Sequence, residues 1–64
     1  MKKYRIIQST VDKYLGVEFE AEDICCVALQ NAINHILIID KIYKEREVYV
    51  YSDGHITLLI KEVT

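Results

Sequence analysis

The chain has 64 residues, enough for one compact domain spanning 1–64 and no second. Hydrophobic residues make up 52% and charged ones 28%, which excludes a disordered chain, since disorder goes with low hydrophobicity and high net charge. A formal net charge of -2 disfavours a protein that coats a polyanion.

A domain this short buries only about 60% of its unfolded surface when it folds alone. Small domains meet that deficit with disulfides, a metal or a second chain. Cys25 and Cys26 are adjacent and cannot clip distant segments together. No Cys/His spacing of metal-site type occurs, so no metal and no cofactor is expected. That leaves oligomerisation, with the chain itself as its first partner. Met1-Lys2-Lys3 resembles the start of a signal peptide, but Tyr4 to Thr10 breaks any apolar stretch. The longest apolar runs, Ile24 to Leu29 and Ile36 to Ile39, fall far short of the roughly 20 residues of a membrane helix. The expected location is the cytoplasm, with reduced thiols and no membrane.

In chain order, Lys3 to Ser9 reads as a strand and Val11-Asp12-Lys13 as a turn. Tyr14 to Glu20 alternates, with Leu15, Val17 and Phe19 against Gly16, Glu18 and Glu20, the period of a half-buried strand. Residues 1–20 are therefore a predicted hairpin. From Ala21 to His35, Ala21, Ile24, Cys25, Ala28, Leu29, Ala32, Ile33 and Ile36 share one helical arc. Glu22 and Asp23 at its start and His35 at its end suit the helix dipole. The rival reading takes residues 24–29 as a strand and gives a small all-β barrel. Alanines spaced for one face favour the helix.

Ile36 to Tyr43 reads as a central strand, Lys44-Glu45-Arg46 as a turn and Glu47 to Tyr51 as the next strand. Asp53-Gly54 is a strong hairpin signal, with Ile56 to Val63 returning as the last strand. The expected order is β-β-α-β-β-β, an α+β fold with a mainly antiparallel sheet. One helix of ~22 Å by ~10 Å covers one sheet face. The face expected to stay bare carries Leu37, Ile39, Tyr43, Tyr49, Tyr51 and Leu59, and a symmetric dimer packed through those six residues is the predicted solution.

Other residue groups carry weaker signals. Cys25, facing the core, and Cys26, at its edge, read as packing, since nothing nearby in sequence activates a thiol. His35 and His55 lack a second ligand pair. Lys2, Lys3, Tyr4 and Arg5 resemble a nucleic-acid edge, but so few charges on an acidic chain disfavour nucleic acid as a partner. Gly16 and Gly54 are the only glycines, which excludes phosphate-loop and dinucleotide fingerprints. Ser9, Ser52 and the Asp53/His55 pair form no catalytic constellation, so no catalytic residue is assigned. Glu18, Glu20, Glu22, Asp23, Asp53 and His55 are the candidate contacts to a protein partner.

The sequence thus leads to a small non-enzymatic binding protein that works as a homo-oligomer. Its size and lack of chemistry suit a regulator or inhibitor of a macromolecule, of the kind phages and mobile elements carry. The alternative is an oligomeric small-molecule binder, a nucleotide sponge in which Tyr43, Tyr49 and Tyr51 stack on a base near Lys41 or Lys61.

Overall fold

Tyr4 and Ile6 alternate with charged neighbours, and that alternation sets the register of the first hairpin. In the computed structural model, which describes residues 1–63, β1 (Lys2–Ser9) pairs antiparallel with β2 (Glu18–Ala21), placing Tyr4 opposite Phe19 and Arg5 opposite Glu18. The hairpin is as predicted, but its second strand starts later than Tyr14. Asp12–Tyr14 form a 3-10 turn, which sends Tyr14 into the core at 4% exposure. The helix α1 (Cys26–Ile33) follows, then β3 (Tyr43–Glu45), β4 (Val48–Ser52) and β5 (Thr57–Glu62).

The five strands form one open antiparallel sheet in the order β2-β1-β5-β4-β3. The α+β reading is therefore correct. The barrel alternative is not, because the sheet has two edges, β2 and β3, and residues 26–33 are helical.

One sheet face lies under α1 and the loops around it. Ile6 opposite Ile60 and Leu58 opposite Tyr51 put four fully buried side chains at its centre. Leu29 and Ile33 of α1, Cys26 and Leu37 complete the core there. Tyr4 stacks on Phe19 at 5.5 Å between centroids and meets Tyr49 edge-on at 6.0 Å. Such aromatic pairs contribute about 0.5–1.5 kcal/mol each beyond their burial.

Three expectations are corrected. Residues 36–42 are not a central strand. Only Tyr43–Glu45 pair, at the edge of the sheet, while the preceding segment crosses the sheet as a loop and drops Leu37 into the core. Its backbone is satisfied by side chains instead, the Leu37 N–H by Gln30 Oε1 at 3.0 Å and the Ile38 N–H by the Tyr51 hydroxyl at 3.1 Å. The β3–β4 turn accordingly sits one residue later, at Arg46-Glu47.

The helix is shorter than 21–35, which inverts the two cysteines. Cys25 is its N-cap, in extended conformation and exposed, its Sγ accepting the Ala28 N–H at 3.5 Å. Cys26, the first helical residue, takes the buried place. Glu22 and Asp23 precede the helix and do not act on its first turn.

Most of the predicted interface faces inward. Tyr49 and Tyr51 share the covered face with Ile60 and Leu58, because register matters here and not alternation alone. Tyr51 and Leu37 are buried within the chain, and Ile39 and Tyr49 pack against the same core. Of the six predicted residues, Tyr43 and Leu59 stand on the bare face.

Candidate functional site

The bare face is built by residues two apart on each strand, so its side chains fall into rows that run across the sheet. The middle row is apolar. Tyr43 opposes Val50, Val50 opposes Leu59, and Leu59 opposes Gln8 on β1. Between Ile6 and Gln8 the register slips by one residue. Ile7, outward by alternation with the buried Tyr4 and Ile6, extends the apolar row toward Leu15, and the bulge brings Gln8 round to the same face. No described element lies over this row.

On one side of it runs a charged row, Glu18, Arg5, Lys61, Val48 and Glu45 in order across the five strands. Arg5 Nε donates to Glu18 Oε2 at 2.6 Å, and Lys3 Nζ lies 3.4 Å from Oε1. The Arg5 guanidinium and the Lys3 ammonium hold the Glu18 carboxyl below its ordinary pKa. On the other side runs a row of hydroxyls. Ser52 Oγ and Thr57 Oγ1 are 2.9 Å apart, and Thr10 Oγ1 accepts the Thr57 N–H at 3.0 Å.

At the β1 end of the apolar row the surface dips into an open groove of about 360 Å³. Ile7, Leu15 and Leu59 supply its apolar lining and Ser9, Thr10 and Thr57 its hydroxyls. None of its lining side chains is charged. A second, smaller hollow of about 210 Å³ lies among Lys44, Glu47, Tyr49, Lys61 and Glu62.

The partner-contact candidates occupy two separate places. Glu18 is paired as described, Asp23 sits 3.7 Å from Lys2 Nζ, and Glu20 and Glu22 are exposed along β2 and just beyond it. Asp53 is a local organiser of the β4–β5 loop. Its Oδ1 accepts the N–H groups of His55 and Ile56 at 2.8 and 2.9 Å, and its Oδ2 accepts the Tyr51 hydroxyl at 2.7 Å. Those hydrogen bonds, that from Ile56 first, pull its pKa down to about 2. His55 is left exposed at the tip of a loop so fastened.

The three tyrosines of the nucleotide reading are not brought together. Tyr43 is on the bare face with Lys41 Nζ 4.8 Å from its ring centroid, whereas Tyr49 and Tyr51 are on the covered face. His35 lies against Tyr14, 6.0 Å between ring centroids. Among the described residues no three metal-ligating side chains converge, and no helix is long and apolar enough to cross a membrane.

Val50, Ile7, Leu15 and Gln8 belong to this face and escaped sequence reasoning. Alternation about Tyr4 and Ile6 marks Ile7 as outward, but it groups Leu15 with Val17 and Phe19, which pack on the core while Leu15 is exposed. Nothing in the sequence marks the bulge that brings Gln8 to this face. No protein-family model, no curated protein and no solved structure matches the chain.

Proposed function

We propose that this chain is a non-enzymatic binding protein that works as a homo-oligomer and regulates or inhibits a macromolecular partner. The observation that carries the reading is the bare sheet face, with an apolar row running from Tyr43 through Val50 and Leu59 to Ile7 and uncovered by any described part of the chain. Exposed contiguous apolar surface on a small domain marks a contact surface. Self-association uses that face, and the fastened Asp53–His55 tip and the Glu20/Glu22 edge remain free for the target. A loop already ordered by its own hydrogen bonds loses little entropy on binding, which suits it to recognition.

The test has two arms. Light scattering coupled to size exclusion should give wild type about twice the 7.5 kDa chain mass, and Val50→Lys the mass of one chain. Affinity capture from the native host should then recover a defined partner with wild type, and lose it with His55→Ala or the Glu20→Lys/Glu22→Lys variant. Monomeric wild type at high micromolar concentration removes the oligomer. Capture unaffected by all of these variants removes the surface assignment.

A further inference from the structure

We infer that two copies of this chain pack bare face to bare face about a two-fold axis that runs along the apolar row, so that row meets row and each copy's charged row lies over the other's hydroxyls. The inference rests on the self-association proposed above and specifies its geometry.

The registers decide between the candidate axes. Stacked sheets approach to about 10 Å with strands roughly aligned, so a two-fold axis lies either along the rows or along the strands. An axis along the strands, through β5, sets Lys61 on its own symmetry mate and Glu18 on Glu45 of the second copy. Like charges facing across an interface are strongly disfavoured. An axis along the apolar row keeps every residue on its own strand position and reverses the order of the rows. Val50 then meets Val50, and Leu59 meets Leu59. Thr57 faces Lys61 of the second copy, and Thr10 faces Arg5, so ammonium and guanidinium groups meet hydroxyl oxygens that can accept from them. A diagonal axis would cross the two apolar rows and leave most of each uncovered.

Two further features fit. The groove beside Ile7 straddles the apolar and hydroxyl rows, so its Ile7 and Leu59 side meets its own mate in this arrangement. Leu15, 56% exposed at its margin, is the apolar side chain available to fill the space. Glu18, the acid of the charged row's first pair, is held by Arg5 and Lys3 within each copy, so closing the faces does not strand it. The face cannot exceed the molecule's longer extents of 29 × 22 Å, the small end of the range for specific interfaces at ~800 Å² per partner.

Thiol crosslinking distinguishes the axes. Single cysteines are placed at Val50, Gln8, Thr57 or Lys61 in a Cys25→Ser background, since Cys26 is buried, and a bis-maleimide of roughly 10 Å reach, matched to the sheet spacing, is added. The expected result is that Val50→Cys links to itself. Thr57→Cys and Lys61→Cys should link at least tenfold more when mixed than either does alone. Self-linking of Lys61→Cys, or linking of Val50→Cys only to Gln8→Cys, overturns the row-parallel axis while leaving self-association in place. A wild type that scatters as one chain, with no variant linking, overturns both. Thermal melts of each variant by circular dichroism confirm that the crosslinked species are folded.

Discussion

The Tyr51 hydroxyl, at the end of a side chain with no solvent exposure, donates to Asp53 Oδ2 at 2.7 Å and accepts the N–H groups of Ile38 and Ile39 at 3.1 and 3.4 Å. One phenol thus fastens the irregular 36–42 segment to the β4–β5 hairpin. It also explains how that apolar segment, with its ladder bonds unmade, stays in place over the sheet.

Tyr51→Phe is expected to keep the core packing and lose the fastening. Two N–H groups and one carboxylate oxygen lose a partner, and each part-buried orphan costs about 1–3 kcal/mol where water cannot replace it. Chemical denaturation should show a loss in that range, with Ile38 and Ile39 amides exchanging faster than those of β1 and β5. Equal protection in both proteins would mean that the hydroxyl does not hold the segment.

Asp53 also sets an acid limit, through the Ile56 N–H first and the Tyr51 hydroxyl second. The folded-state pKa of Asp53, about 2, lies below the ordinary carboxyl value near 3.9. A depressed carboxyl contributes stability that is complete above the unfolded pKa and disappears as pH falls through the folded one. Stability should therefore fall between about pH 4 and pH 2, and Asp53→Asn should flatten that fall. Glu18, lowered by Arg5 and Lys3, acts in the same direction, but its exposed pairing is screened by salt. Added salt should remove the Glu18 share and leave the Asp53 share, which unfolding curves across pH at two ionic strengths will separate.

At high pH the buried phenols act in the opposite sense. Burial pushes the pKa of both Tyr4 and Tyr51 up, and donation to Asp53 adds to the rise for Tyr51. A raised pKa means stability complete below the unfolded value near 10 and lost above it. Ultraviolet titration should show Tyr4 and Tyr51 ionising only as the protein unfolds. Tyr4 and Tyr51 ionising in the folded protein near pH 10 would contradict the core assignment.

The element order was legible in the sequence because alternation and helical spacing are local signals. Tyr4/Ile6, Val17/Phe19 and Leu58/Ile60 announce their strands, and Leu29/Ile33 their helix. The bare face was not legible in the same way. Ile36 to Ile39 have the composition of a central strand, yet the strand pairing goes to Tyr43–Glu45, and the choice is made by Tyr51, thirteen residues from Ile38. Which tyrosine faces inward depends on cross-strand register, a long-range quantity. Cys25 and Cys26 changed places for a smaller reason, a helix start that sequence reading does not locate to the residue.

That helix start gives a direct test. Sulfur is a weak acceptor, and Cys25 caps α1 with a 3.5 Å contact to the Ala28 N–H. Serine ranks among the favoured N-cap residues and alanine among the poor ones. Cys25→Ser is expected to stabilise by about 0.5–1 kcal/mol and Cys25→Ala to be neutral or worse. If both variants shift the denaturation midpoint alike, the cap is not at position 25.

The two hairpin turns predict opposite signs for opposite substitutions. Between β4 and β5 only Gly54, at φ +87°, is in the positive-φ region. Asp53 is not, so the turn needs one left-handed residue where a type I′ turn would need two. A Cβ built on Gly54 meets nothing within 4 Å, and the cost of a side chain there is backbone strain alone. Gly54→Val, β-branched and disfavoured at positive φ, should destabilise by about 1 kcal/mol or more. Between β3 and β4 the positive φ of 59° falls on Arg46, a residue with no side-chain device for tolerating it. Arg46 is exposed and its side chain makes no hydrogen bond or ion pair among the described residues. Arg46→Gly therefore relieves strain, offset in part by the greater freedom of glycine in the unfolded chain, and should leave stability unchanged or raise it by up to about 1 kcal/mol. Urea midpoints for the two single variants and the double decide the matter. The turns are at opposite ends of β4, so the two effects should add. A loss of 1 kcal/mol or more from Arg46→Gly would mean that the left-handed residue of that turn is another one.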